Sequence, residues 1–72
     1  MISSDHELET TLERIRRFQA QVAHLRKVET NPVNYRLSAS AFLAEIDRMQ
    51  LEVREYLPLH PGEHTARARD AQ

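Results

Sequence analysis

No cysteine occurs among the 72 residues, so neither a disulfide framework nor a thiolate metal site can staple the fold, and nothing points to an oxidising compartment. Glycine and proline are almost as scarce. Gly62, Pro32, Pro58 and Pro61 are all the chain has, which leaves residues 2–31 and 33–57 without a strong breaker. No apolar run approaches the roughly 20 residues that span a bilayer, and Met1-Ile2-Ser3-Ser4-Asp5 lacks the basic stretch and apolar run of a secretory leader. A cytoplasmic location without membrane attachment is the expectation. Charge of one sign is lacking too: ten basic and eleven acidic residues leave a net charge of −1, so no overall field draws the chain to nucleic acid or anionic lipid.

What is present is a helical pattern. An apolar fraction of 40% with 29% charged residues suits a soluble helical chain and is too patterned for a disordered one. Ser4 followed by Glu7 reads as a capping box, in which a Ser N-cap and a Glu at N3 satisfy backbone donors reciprocally. Asp5 and Glu7 also suit the positive end of a helix dipole. Leu8, Leu12, Ile15, Phe18, Val22 and Leu25 then recur three or four apart, and Val28 extends the stripe. The spacing predicts one amphipathic helix over about residues 5–29, with Glu13 placed to pair with Arg16 and Arg17 on its wet face. Asn31-Pro32 stops it, because the residue before proline is biased away from the α region.

A second helix is expected over about residues 38–57. Ser38 as N-cap sets Leu37 and Phe42 at the two positions of a hydrophobic staple, while Asn31 or Asn34 as an earlier cap is the competing start. Ala39, Phe42, Ile46, Met49, Val53 and Tyr56 carry its apolar stripe, and Leu57-Pro58 ends it. A link of about eight residues places consecutive helices side by side, so the fold class is all-α, an antiparallel two-helix hairpin. Residues 1–57 form the hairpin. No apolar periodicity continues through residues 58–72, which read as a flexible polar tail.

Two packed helices bury one stripe each, too little to offset backbone ordering of roughly 1–2 kcal/mol per residue. The second helix carries apolar residues beyond its stripe, Ala41, Leu43, Ala44 and Leu51, with Leu57 at its end and Leu37 just before its start. Leu37, Ala44 and Leu51 recur every seven residues, nearly opposite Ile46 and Met49 on a helical wheel. A second interface is the economical explanation, most simply a homodimer closing a four-helix bundle, with a helical partner protein as the other choice.

Residues capable of chemistry do not converge. His60 and His64 have the spacing of a helical metal pair, but Pro61 and Gly62 lie between them and no complete ligand set accompanies them. His6 and His24 read as solvent-facing. Glu45, Asp47, Glu52 and Glu55 read as a solvated acidic face, since catalysis needs polar groups converging in a water-poor pocket. No histidine follows a glutamate by three residues, as a di-iron bundle requires, and no phosphate loop or nucleophile elbow occurs. No catalytic residue, cofactor, metal or small-molecule substrate is expected, and the chain reads as a non-enzyme.

Arg14, Arg16, Arg17, Arg26 and Lys27 are the basic clusters of the first helix and the basis of an alternative reading, contact with nucleic acid. Five acidic residues over 5–29 balance them, and no stacking aromatic is interleaved. Nucleic acid is therefore not the expected partner. Tyr35 and Tyr56 suit the edge of a core, with Tyr35 able to anchor a partner instead.

The run Glu29-Thr30-Asn31-Pro32-Val33-Asn34-Tyr35-Arg36-Leu37-Ser38, followed by Phe42-Leu43-Ala44-Glu45-Ile46-Asp47-Arg48-Met49, resembles small bacterial proteins of similar length. Their helical hairpin is similar to the N-terminal helical region of antitoxins from toxin–antitoxin pairs. The resemblance implies an antitoxin-like or accessory subunit and covers about residues 2–61. Such antitoxins continue into a helix-turn-helix domain for which this chain leaves no room, so operator binding is not implied.

Overall fold

A computed structural model describes residues 1–60 and builds them from two helices, α1 (Asp5–Val28) and α2 (Pro32–Tyr56), that pack against each other. The described residues contain no strand. None of their helices is long and apolar enough to cross a membrane.

The start of α1 follows from three side chains. Ser4 has extended dihedrals, and its Oγ accepts from the Glu7 backbone N–H at 3.2 Å. The reciprocal arm differs from the expected capping box: the Glu7 carboxylate accepts from the backbone N–H of Ser3 at 2.7 Å and from its hydroxyl at 3.0 Å. Ser3 offers two donors to one carboxylate oxygen, which ties the chain down one residue earlier than a box closed on Ser4 itself. At the other end Arg26 and Lys27 face the negative pole, and the extended Glu29 still donates its N–H to the Leu25 carbonyl at 2.9 Å.

The start of α2 corrects the sequence reading. It lies at Pro32, not Ser38, because Asn31 caps it: Asn31 Oδ1 accepts from the N–H groups of Val33 at 2.9 Å and Asn34 at 3.3 Å. Proline at the first helical position costs nothing, since its missing N–H would have had no intrahelical acceptor. The connection therefore shrinks to residues 29–31, with the Glu29 carboxylate accepting from the Asn31 N–H at 3.0 Å. Leu37 and Phe42 form no staple: Leu37 is 71% exposed in mid-helix, while Phe42 packs edge-on against Phe18 with ring centroids 5.4 Å apart. At its far end α2 stops as expected before Pro58, but Leu57 keeps helical dihedrals (φ −58°, ψ −35°) instead of turning extended. Pro58 ends the ladder because it has no N–H to give the Arg54 carbonyl.

The helices meet along Ile15 of α1 and Ile46, Met49 and Val53 of α2, with Leu8, Phe18, Val22 and Tyr56 packed around them. Ala39, 2% exposed, is buried one turn before Phe42 on the same face of α2. Every residue of the expected α2 stripe is at least partly buried. In α1, Leu12 and Val28 depart from the stripe and stay exposed. The N-terminal segment adds Ile2 to the same cluster, 6% exposed although it lies outside either helix.

Candidate interaction surface

All six residues expected to meet another chain are exposed: Leu37, Ala41, Leu43, Ala44, Leu51 and Leu57. They do not share one face. Leu37, Ala44 and Leu51, seven residues apart, lie on the side of α2 turned away from Ile46 and Val53, and Val33 continues that side toward the link. Leu43 and Leu57 sit closer to the buried stripe, at its flank, and Ala41 lies on the opposite flank. Leu51 and Leu57 are 58% and 59% exposed, and Leu43 46%, so about half or more of each side chain remains available for burial. A fully buried leucine contributes about 1.5–3 kcal/mol relative to an exposed one, so covering even some of these would be a large increment for a core of this size.

Among the described residues the charged groups form surface pairs. Arg48 bonds Glu45 and lies 3.8 Å from Glu52; those carboxylates, Glu45 first, raise its already high pKa. Arg16 donates to Glu13 at 2.8 Å, the expected three-residue pair. No polar or charged side chain among the described residues is buried. Nor do the described residues bring together three or more histidines and carboxylates able to hold a metal. A groove of about 350 Å³ is lined by Met1, Ile2, Glu52, Glu55, Tyr56 and Leu59, and one of about 210 Å³ at the link by Arg26, Glu29, Thr30, Pro32 and Tyr35. His64 lies outside the described residues, so the His60 and His64 pairing does too. His6 and His24 are exposed on α1.

Arg14, Arg16, Arg17 and Lys27, the alternative nucleic-acid contacts, are all exposed on α1. Their placement along the fold is uneven in a way that composition hides. Residues 14–44, the half nearest the link, hold the six bases Arg14, Arg16, Arg17, Arg26, Lys27 and Arg36 against the single acid Glu29. Residues 1–13 and 45–60 hold eight carboxylates, of Asp5, Glu7, Glu9, Glu13, Glu45, Asp47, Glu52 and Glu55, against Arg48 and Arg54. A near-neutral chain is thus folded into a basic end and an acidic end.

Sequence reasoning missed the latch that closes the acidic end. The Tyr56 hydroxyl donates to Asp5 Oδ1 at 2.8 Å, Ile2 is buried beside Val53, and the Met1 ammonium lies 3.4 Å from Glu52. The one available signal was Ile2 itself, an apolar residue two positions before the Ser4 cap. The chain matches no protein-family model, and comparison with curated proteins and with solved structures gives no significant match.

Proposed function

We propose that this chain is a non-enzymatic helical interaction module whose two antiparallel helices make half of a four-helix bundle, completed by a second copy. The antiparallel arrangement is supported by the three-residue link and by contacts between opposite chain ends, Tyr56 with Asp5 and Met1 with Glu52. Assembly is supported by one observation above the others: Leu37, Leu51 and Leu57 are more than half exposed and Leu43 nearly half, while six apolar residues are buried among the described residues. An antitoxin-like or accessory subunit that meets a protein partner in a cytoplasmic setting is the biological form suggested by the resemblance of residues 29–49.

The test is mass as a function of concentration. Wild-type chain sediments as a dimer at micromolar concentration, and Leu43→Asp shifts it toward monomer while keeping its helicity by circular dichroism. A wild-type chain that stays monomeric across that range removes the homodimer.

The concentration of six bases in the link half supports a second reading, a nucleic-acid contact through Arg14, Arg16, Arg17 and Lys27. It predicts duplex binding that weakens steeply with salt and is lost in Arg16→Glu with Arg17→Glu. No binding at low salt ends it.

A further inference from the structure

Deepening the homodimer reading and resting on it, we propose which seam the second copy covers and which way it points: it docks head to tail along the flank that carries Leu12, Leu43 and Leu57.

The buried residues of each helix follow a heptad, with Leu8, Ile15 and Val22 at a in α1 and Ala39, Ile46 and Val53 at a in α2. In this register Leu12 and Gln19 of α1 and Leu43, Gln50 and Leu57 of α2 are the e residues. In two antiparallel helices e lies beside e and g beside g, so these five line one seam and the g residues the other. The g seam is polar: Glu7, Arg14 and Gln21 face Ser38, Glu45 and Glu52, with Val28 the apolar exception at the end of α1. The e seam holds three leucines, exposed by 36%, 46% and 59%, separated by uncharged glutamines. Helices that pack on one further side of a bundle carry apolar residues at a, d and one of e or g. Here that side is e in both helices.

The leucines do not fix direction, but charge does. At the ends of the same seam stand Asp5 on one side and Arg26 with Arg36 on the other, within the acidic and basic halves described above. Neighbouring helices in a bundle lie about 8–10 Å apart, about one Debye length at physiological salt, so these charges act across the joint. A second copy with its link at the same end sets bases against bases and carboxylates against carboxylates. Turned end for end, it sets Arg26 and Arg36 near Asp5 of the second copy, and two-fold symmetry repeats the match at the far end.

The chain has no cysteine, so Thr30→Cys places a single spin label on the exposed link. In the head-to-tail dimer the two labels stand about 40 Å apart, close to one helix length, whereas links at the same end bring them within about 20 Å. Pulsed dipolar spectroscopy reading the longer distance supports the proposal. The shorter distance in a dimer of confirmed mass overturns the orientation and leaves the homodimer intact. Loss of the dimer in Leu12→Glu, with Leu51→Glu still dimeric, supports the e seam; the reverse pattern overturns it. Arg26→Glu with Arg36→Glu weakens the head-to-tail dimer about tenfold or more at low salt, with the difference closing at high salt, and tighter association in that variant counts against it. A monomeric wild-type chain assigns the seam to a different protein or to solvent and overturns this proposal together with the homodimer.

Discussion

Tyr56 and Asp5, 51 residues apart in sequence, are joined by a 2.8 Å hydrogen bond in which the phenol donates to the carboxylate. The bond raises the Tyr56 pKa above its ordinary value of 10.0, helped by partial burial and by the negative charges of Asp5 and Glu7. A folded-state pKa above the unfolded one means that the neutral phenol is favoured by folding. Its contribution is fully present below pH 10 and is lost as pH rises through the folded value. Urea midpoints measured on either side of that range should fall more steeply for wild type than for Tyr56→Phe, which cannot ionise at this position. Equal slopes would mean that the bond does not persist in solution.

Glu7 behaves with the opposite sign. The Ser3 backbone N–H first, and its hydroxyl second, hold the Glu7 carboxyl below its ordinary value of 4.5. The stabilisation is complete above that value and is lost as pH falls through the folded one. Acid titration of helicity should therefore show an earlier loss in wild type than in Glu7→Gln once each is normalised to its neutral-pH stability. Ser3→Ala, which keeps the amide but not the hydroxyl, should fall between them.

The cap of α2 gives a sharper comparison. Asn31→Ala leaves two N–H groups unpaired and should cost about 1 kcal/mol, while Asn31→Gly costs only a few tenths. Ser38→Ala, at the position where the sequence suggests a cap, lies inside the helix and should change stability by less than about 0.5 kcal/mol. Chemical denaturation of the three variants distinguishes the starts; a larger loss at Ser38 than at Asn31 would place the beginning of α2 back at residue 38.

That contrast shows where the sequence speaks and where it falls silent. The stripes of Ile15, Phe18 and Val22 and of Ile46, Met49 and Val53 are legible because a period near 3.6 repeats over many turns. Asn31-Pro32 is ambiguous because the same dipeptide that stops one helix is an N-cap and first residue for the next, and the hydrogen bonds from the Val33 and Asn34 N–H groups to Asn31 Oδ1 decide for the second. Leu43, Leu51 and Leu57 are recognisable as apolar residues outside the stripe. Sorting them into a flank and a back needs the register of both helices at once, and Leu12 joins the flank only when α2 is set beside it. The charge separation is invisible in the net charge, because folding brings residues 5–13 and 45–56 to one end of the hairpin.

Ile2 was silent for a different reason: a single apolar residue before a helix has no period to reveal it. Its burial makes the N-terminal segment part of the core and not a fringe. Ile2→Ala should cost about 2–4 kcal/mol and Ile2→Val about 0.5–1.5 kcal/mol, the range for removing buried aliphatic atoms with partial collapse around them. In a protein of this size a loss at the upper end would unfold a substantial fraction of isolated chains, so under the proposed homodimer its effect should shrink as concentration rises. Thermal melts of both variants at several concentrations read this directly. A melting point unmoved by Ile2→Ala would mean that residues 1–4 hang free and that the hairpin closes on Tyr56 and Asp5 alone.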